Sequence, residues 1–264
     1  MNSETKQRIK TRIRQKMDGI LLRRIRELPS DIRNIAETNP FGSRLVPQEI
    51  WKGSKFERSF VTSFGQGVYE QIAYEIAIGS GAYAENQHVE TVTLNTWQDE
   101  AISNLLSSQR GSETPQQPDW VRELLEVSTL SNPRHMNLET RFDLYVRRAD
   151  GAEEYYSLKT VKPNLDQTEI AKRDMLRVCA SKPNSRAFLA LPYNPDGEGK
   201  TYTWSIPKKL FNMNSCPAVL IGGNFWNAVG ADAGTFSELL NLFNEIGEEY
   251  HPRITADFLG LNID

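Results

Sequence analysis

The stretch RFDLYVRRADGAEEYYSLKT, residues 141–160, holds two β-prone runs joined by turn residues. Its centre, Ala-Asp-Gly at 149–151, suits a three-residue hairpin loop, in which a type I turn is followed by a left-handed glycine that forms a G1 bulge. Such a loop pairs Arg148 with Ala152. This one pair fixes the register of the whole hairpin.

The register decides which side chains share a face. It places Asp143 opposite Ser157 and Arg141 opposite Lys159. Because paired residues share a face and side chains alternate along a strand, Asp143, Ser157 and Lys159 emerge together. A two-residue Asp-Gly loop would instead separate Asp143 from Lys159. The other face is apolar and suits a core, with Phe142, Leu144, Val146, Tyr156 and Leu158.

An acid and a lysine on one sheet face have two interpretations. They form a cross-strand ion pair, or they form a centre for metal-dependent phosphodiester hydrolysis. In the second case Asp143 and the main-chain carbonyl of Leu158 supply hard oxygen ligands that suit Mg²⁺, which keeps several of its own waters. Lys159 orients one such water, and the metal stabilises charge on the phosphate.

The composition is that of an ordinary globular chain with 264 residues, 39% of them hydrophobic, and a net charge of -3. The charge is nevertheless uneven. Residues 1–26 hold nine Lys or Arg and two acids, whereas residues 232–264 hold seven acids and Arg253. A basic end of this kind either contacts phosphates or is a solvated helix face.

The two cysteines lie in a helical segment and before a strand, which predicts buried thiols and a reducing, cytoplasmic setting. The first residues are too polar for a signal peptide, and no apolar run reaches the roughly 18 residues that span a bilayer. We therefore expect a soluble protein that makes no membrane contact.

Hydrophobic spacing predicts a long amphipathic helix that Pro29 ends, and the Pro, Gly and Ser of residues 39–48 indicate a boundary. This divides the chain into a basic helical region, 1–45, and a larger domain, 46–264. In the larger domain, helices are predicted at 54–79, 96–108, 118–127, 166–180 and 235–250. Strands are predicted from RFDLYVRR, EEYYSLKTV, RAFLALPY, TYTWSI and PAVLIG. The fold class is therefore α/β, a mixed β-sheet flanked by helices with an N-terminal helical extension.

Several longer segments resemble the TdeIII-type family of type II restriction endonucleases: SKFERSFVTSFGQ, GAYAENQH, EEYYSLKTVKPNLDQTEIAKRDML, ALPYNP and VLIGGNFWN. The resemblance covers most of residues 40–245. It implies that 46–264 is a catalytic and DNA-recognition domain of the PD-(D/E)xK nuclease fold. It also implies Mg²⁺-dependent cleavage of both strands of a short G·C-rich palindrome of the GGNCC kind, a homodimer, and a cognate DNA methyltransferase in the same system.

The sequence departs from the family motif at two positions. Phe142 stands where the motif has Pro, and Ser157 stands where it has Asp or Glu. Some restriction enzymes with Ser at that position take the acid from the following helix. Glu169 is then the predicted second metal ligand and Asp174 the alternative. Asp166-Gln-Thr-Glu169 also fits a capping box, in which Glu169 would bond the Asp166 amide.

Glu57, on the preceding apolar helix, is a further candidate acid, since this fold often adds one near the metal. Helical spacing places it beside Phe56 and Phe60, although a surface glutamate paired with Lys55 or Arg58 remains open. Lys162, after the second hairpin strand, is a candidate for contacting the phosphates of the scissile strand.

The helix after the hairpin carries KRDMLR at 172–177. If Glu169 lies at the metal, the next turns of its helix approach the DNA, so Lys172, Arg173, Asp174 and Arg177 are candidate DNA contacts. Arg matches guanine O6 and N7, and Asp can accept from cytosine N4. Intrahelical pairs such as Glu169–Arg173 are the plain alternative.

Two classes of function remain open from sequence alone, a Mg²⁺-dependent endonuclease and a catalytically inactive DNA-binding protein with a nuclease-like fold. The intact Asp143 and Lys159 favour the enzyme.

Overall fold

The computed structural model describes residues 1–65, 67–111 and 116–261, and no helix in these ranges is long and apolar enough to cross a membrane. The helices are α1 (Ser3–Thr38), α2 (Gly42–Leu45), α3 (Gln48–Gly65), α4 (Val68–Gly79), α5 (Thr96–Gly111), α6 (Trp120–Thr129), α7 (Leu165–Ser181), α8 (Gly223–Gly230) and α9 (Thr235–Arg253). The strands are β1 (Tyr83–Asn95), β2 (His135–Arg147), β3 (Glu153–Leu158), β4 (Ser185–Leu191) and β5 (Val219–Ile221).

The strands form one mixed sheet in the order β1-β2-β3-β4-β5. The first three strands pair antiparallel, and β3, β4 and β5 pair parallel. The predicted α/β architecture, a mixed sheet flanked by helices, is confirmed.

The hairpin turn is the predicted one. Gly151 has a φ of 87°, and its N–H donates to Arg148 O at 2.9 Å. The Arg148 N–H donates to Ala152 O at 2.9 Å, so these two residues pair. The register from Arg147–Glu153 to Leu144–Tyr156 follows from this pair, as predicted.

Beyond Leu144–Tyr156 the two hairpin strands keep different partners. The end of β3 stays with β4, where Ser157 and Leu158 lie opposite Leu189 and Ala190. β2 pairs with β1 on both sides of Asp143, from Tyr83–Arg147 to Asn86–Leu144 and from His88–Phe142 to Asn95–His135. Asp143 therefore lies where the β2–β3 ladder has ended, at the mouth of a fork between the two strands.

Three local predictions were wrong, and one strand was missed. α1 continues past Pro29 to Thr38 and ends before Asn39, whose helical conformation is disfavoured by the following proline. The helix predicted at 54–79 is two helices, because Gly67 adopts a φ of 83° between them. TYTWSI is not a strand. β1, whose sequence is largely polar, was not predicted.

The residues of TYTWSI cover the connection after β3 instead of joining the sheet. Tyr202 is buried, and its hydroxyl donates to Val161 O at 2.9 Å. Trp204 Nε1 donates to Pro163 O at 3.2 Å. These side chains hold the segment that leads from Lys159 into α7.

The chain divides into two units, residues 1–72 with 237–264, and residues 73–236. The boundary predicted after residue 45 lies inside the first unit. Glu57 belongs to the first unit, and the sheet with Asp143 and Lys159 belongs to the second.

In the first unit, basic residues of α1 bind acids of α9. These ion pairs account for part of the excess of basic residues near the N-terminus, because Lys6, Lys10 and Arg14 have carboxylate partners within the chain. Residues four apart lie on one helix face, so the pairs follow one another along both helices. They are Lys6–Glu238, Lys10–Glu245, Arg14–Glu249 and, with reversed sign, Asp18–Arg253.

In the second unit, α5, α6 and α7 share one core with the sheet. Fully or almost fully buried members of this core are Val92, Leu94, Ile102, Leu106, Tyr155, Met175, Leu176, Val178, Leu189 and Leu191. Cys179 belongs to it, and burial raises the pKa of its thiol to about 11. Both cysteines are free, Cys179 buried as predicted and Cys216 partly buried.

Replacing Gly151 by alanine tests the turn that sets the register. Its Cβ would meet open space, so the effect comes from the backbone conformation alone. A left-handed residue with a Cβ costs roughly 1–2 kcal/mol, and we expect the free energy of unfolding in urea to fall by that amount.

Gly19→Ala, in the interior of α1, is the matched control because its Cβ also meets open space. There alanine should raise stability by about 0.5–1 kcal/mol. A Gly151→Ala variant as stable as the wild type would contradict the role given to this turn.

Candidate active site

Asp143 and Lys159 meet at the fork between β2 and β3. Lys159 Nζ donates to Asp143 Oδ2 at 3.0 Å and to Leu158 O at 3.1 Å. Both side chains are about one-fifth exposed, at 21% for Asp143 and 18% for Lys159. The Lys159 N–H donates to Ala190 O at 2.9 Å, which fixes the backbone of the lysine to β4. The predicted meeting of the acid and the lysine is confirmed.

The same geometry brings together the two oxygens predicted to bind metal. Asp143 Oδ2 and Leu158 O both lie within hydrogen-bond distance of one cationic group, the Lys159 ammonium. A carboxylate and a carbonyl are ligands that Mg²⁺ accepts together with its own waters. The donor chemistry therefore fits a Mg²⁺ ion, although Ser157, which is 3% exposed, brings no charge to it.

The alternation of sides predicted for β2 is wrong at Phe142. Its ring lies 4.9 Å from that of Tyr155, in the core that also contains Tyr145. His88, opposite Phe142, stacks on Tyr145 at 4.4 Å. Phe142 thus lies on the same face of the sheet as Tyr145 and Tyr155. Regular alternation would put it on the opposite face, so β2 departs from regular alternation at Asp143.

Glu169 binds two arginines. Its Oε2 accepts from Arg110 Nη1 at 2.6 Å and its Oε1 from Arg173 Nη2 at 2.7 Å. The capping-box alternative is wrong, because the N-cap is Asn164, whose Oδ1 accepts from the backbone N–H of Gln167 at 2.8 Å. Asp166 instead binds Arg110 at 2.5 Å. The intrahelical Glu169–Arg173 pair, the plain alternative to a DNA contact, is present.

Asp174 lies close to the candidate site. It is 8% exposed, and its Oδ2 accepts from the Arg141 N–H at 3.1 Å, two residues before Asp143. Burial raises the pKa of Asp174, while the Arg141 hydrogen bond and the charges of Arg177, Arg173 and Lys159 oppose this rise. Because the Asp174 side chain is buried against β2, it does not suit the predicted contact with cytosine.

Lys172 is a structural residue, and its predicted DNA contact is wrong. Its side chain is 0% exposed and lies 2.6 Å from Glu123 Oε2. Nζ also donates to Gln109 Oε1 at 2.9 Å and to Leu210 O at 2.6 Å. Burial lowers the pKa of Lys172, and the Glu123 carboxylate opposes this effect. The contacts join α5, α6 and α7.

The two remaining arginines of α7 have carboxylate partners. Arg173 is 31% exposed and binds Glu169, whereas Arg177 is 17% exposed and binds Asp99 Oδ1 through Nε at 2.9 Å and Nη2 at 2.7 Å. Base reading by either of them stays a prediction.

Lys162 and Glu57 are both exposed. The Lys162 ammonium lies 5.7 Å from the Trp204 ring centroid, which leaves its predicted phosphate contact untested. Glu57 was expected beside Phe56 and Phe60, away from solvent. The structure leaves the Glu57 side chain exposed, which contradicts that expectation and agrees with the alternative of a surface glutamate. Its catalytic role stays a prediction.

Sequence reasoning missed Arg110 and Asp99, both on α5. Each holds a charged residue of α7, and hydrogen bonds to Glu169 and Asp166 raise the pKa of Arg110. The sequence around Arg110 and Asp99 contains no motif that would predict these ion pairs, because each pair forms between α5 and α7. Across residues 1–65, 67–111 and 116–261, no three His, Cys, Asp or Glu side chains cluster as metal ligands.

The chain matches a known protein family over most of its length. Residues 5–247 match the family described as "Type II restriction endonuclease, HinfI". The chain is therefore a type II restriction endonuclease, a site-specific deoxyribonuclease. Within that class it belongs to the HinfI family, so the enzymatic prediction is confirmed.

Two individual type II restriction enzymes are also similar to the chain. The chain is 33% identical to the type II restriction enzyme HgiCII of Herpetosiphon aurantiacus over 238 residues, 86% of this chain and 84% of that enzyme. It is 32% identical to HgiEI of the same organism over 240 residues, 88% of this chain and 85% of the relative. The expected enzyme class is thus confirmed, and the TdeIII-type resemblance stays a prediction.

Removing Lys172 tests its assignment as a structural residue. Lys172→Ala leaves the Glu123 charge buried without its partner, and breaking such a pair costs about 3–5 kcal/mol of unfolding free energy. The measurement is urea denaturation followed by circular dichroism.

The double variant Lys172→Met with Glu123→Leu is the control, because it removes both charges and should recover most of the lost stability. A Lys172→Ala variant that keeps wild-type stability but binds DNA less tightly would restore the original prediction.

Proposed function

We propose that this enzyme cleaves DNA at the Asp143–Lys159 centre with Mg²⁺ as cofactor. The observation that carries the proposal is the convergence of Asp143 Oδ2 and Leu158 O on Lys159 Nζ, at 3.0 and 3.1 Å. In the proposed site Asp143 and the Leu158 carbonyl hold the ion, and Glu169 is the predicted third ligand.

Each residue has a defined task in this proposal. Asp143 brings negative charge to the fork, and its position depends on the pairing of β2 with β1. Lys159 Nζ, held beside the carboxylate, donates hydrogen bonds that orient the attacking water. When bound, Mg²⁺ stabilises charge on the phosphate and lowers the pKa of a bound water.

The second carboxylate is a choice between two residues of α7. Glu169 is partly exposed but already binds Arg110 and Arg173. Asp174 is supported by its bond to the Arg141 amide and by the charge of Lys159 acting on it. We retain Glu169 as the first candidate and Asp174 as its competitor.

The proposed substrate is double-stranded DNA with a short G·C-rich palindrome, of the GGNCC kind that the TdeIII-type resemblance implies. A palindrome is matched by a two-fold homodimer, which we propose as the active form. Arg173 and Arg177 lie one turn apart on α7 and are the proposed base-reading residues, and Lys162 is a proposed phosphate contact. Their carboxylate partners would have to release the arginines when DNA binds.

The wider setting follows from the same resemblance. We propose a PD-(D/E)xK nuclease fold, a cytoplasmic location, and a cognate methyltransferase that protects the host site without direct contact. Glu57 is retained as a proposed additional acid.

Asp143→Asn and Lys159→Met test the catalytic centre. Both preserve side-chain size, and loss of a group that handles the proton or metal should lower the cleavage rate by about 100-fold or more. Cleavage of plasmid DNA in Mg²⁺ is measured against the same assay in EDTA, and gel shift measures DNA binding.

Lys200→Met, an exposed lysine in the loop at 194–201, is the control and should cut normally. Mg²⁺ should also raise the melting temperature of the wild type but not of Asp143→Asn, because a ligand stabilises only a fold that binds it. Near-normal cleavage by either active-site variant would exclude the proposed centre.

Glu169→Gln and Asp174→Asn identify the second carboxylate. The true ligand should lose about 100-fold or more in cleavage with little change in thermal stability. Arg110→Met is the matched control, because it breaks the Arg110–Glu169 pair while leaving the acid in place.

If Arg110→Met lowers cleavage as much as Glu169→Gln, the acid acts only as an ion-pair partner. A larger loss in Asp174→Asn would transfer the ligand assignment to Asp174.

A further inference from the structure

The side chain of Asp174 binds a main-chain amide of β2 two residues before Asp143. Its Oδ2 accepts from the Arg141 N–H at 3.1 Å, and the side chain is 8% exposed. A buried carboxylate needs hydrogen-bond donors or a cation, because burial without them is costly. The neighbouring cations of α7, Arg173 and Arg177, bind other carboxylates. The donor to Asp174 is instead the backbone of the strand that carries Asp143.

The Arg141 amide is out of phase with the rest of its strand. In a regular antiparallel strand, the N–H groups of alternate residues point to the same neighbouring strand. The Arg148 N–H donates to Ala152 O, across the hairpin, at 2.9 Å. Regular alternation would therefore direct even-numbered amides toward β3 and odd-numbered amides toward β1. Arg141 is odd-numbered, yet its N–H donates to α7.

The side chains of β2 change phase in the same place. Phe142 belongs to the same core as Tyr145, whereas regular alternation would put these two side chains on opposite faces. The pairing of β2 with β1 is also interrupted here, because it stops at Leu144 and resumes at Phe142. Amides and side chains therefore change phase together, and Asp143 is at the centre of the change.

We propose that Asp174 is a positioning residue for cleavage, whose hydrogen bond to the Arg141 amide holds β2 in the irregular conformation that directs Asp143 toward Lys159. The inference rests on the proposed role of Asp143 and Lys159 in catalysis. It gives Asp174 a task that requires a hydrogen-bond acceptor rather than a metal ligand. Without this bond Asp143 would shift away from Lys159, and cleavage would slow because it depends on groups held in place.

Replacing Asp174 by asparagine and by leucine tests this task. Asp174→Asn keeps an acceptor oxygen for the Arg141 amide, so its cleavage of plasmid DNA under single-turnover conditions should stay close to the wild-type rate. Asp174→Leu is of similar size but has no acceptor. We expect its rate to fall about 100-fold, the effect of a group displaced by about 1 Å. DNA binding in a gel shift should change little in either variant.

Gln98→Leu is the matched control. Gln98 is also 8% exposed, and its Oε1 accepts from the Asn95 N–H of β1 at 3.0 Å. Asn95 pairs with His135 at the end of the β1–β2 ladder that is far from Asp143. The variant thus removes the same kind of bond from the same sheet. It should lower the melting temperature, as Asp174→Leu should, but cut at the wild-type rate.

Hydrogen exchange of the Arg141 amide reports the bond independently of cleavage. Exchange should be slow in the wild type and in Asp174→Asn, and faster in Asp174→Leu. If Asp174→Leu does not fold, Asp174→Ala and Gln98→Ala give the same comparison, because they remove each acceptor without adding bulk.

The outcomes separate this proposal from its competitors. If Asp174→Asn folds but is inactive, the carboxylate charge is required and Asp174 is a metal ligand, which overturns the proposal. It is also overturned if Asp174→Leu and Gln98→Leu slow cleavage equally, or if Asp174→Leu cuts normally while the Arg141 amide exchanges fast. If Asp143→Asn itself cuts normally, the proposed active site has failed instead.

Discussion

The position of the Lys159 ammonium between Asp143 and the Leu158 carbonyl depends on the register of one hairpin. Gly151 sets that register through its left-handed conformation, and a shift of one residue would turn Lys159 to the opposite face. The divergence of β2 and β3 beyond Leu144 then leaves room beside the acid. A turn of three residues and a change of strand partner together produce a cation-binding point at the edge of the ladder.

Helix α7 links this point to the rest of the second unit. Its buried side carries Lys172, whose ion pair with Glu123 fixes the helix against α5 and α6. Glu169 and Arg177 bind partners on α5, whereas Arg173 binds Glu169 within the helix. Because nearly every charge on α7 has a partner, the helix is positioned by electrostatics as well as by packing. Binding of DNA to the arginines requires an exchange of partners rather than the capture of free cations.

The sequence predicted those parts of the structure that depend on local spacing. The turn, the register as far as Leu144–Tyr156 and the meeting of Asp143 with Lys159 follow from a few residues, as does α7 itself. The predicted pairs Asp143–Ser157 and Arg141–Lys159 were wrong, because β2 and β3 have different partners beyond Leu144. β1 was missed because its polar sequence lacks an apolar run, and its strand character depends on pairing with β2. The burial of Lys172 and the partners of Glu169 could not be predicted, because they come from helices brought together only by the tertiary fold.

The ion pairs between α1 and α9 change the meaning of the basic N-terminal region. A lysine or arginine that strengthens DNA binding does so by displacing condensed counterions from the phosphates. Lys6, Lys10 and Arg14 already have carboxylate partners, so they have little counterion release to contribute. The salt dependence of DNA affinity should therefore be shallower than the nine basic residues of this region suggest. Added salt acts on these residues mainly by weakening the attraction between α1 and α9. The stability of the first unit should therefore fall as ionic strength rises.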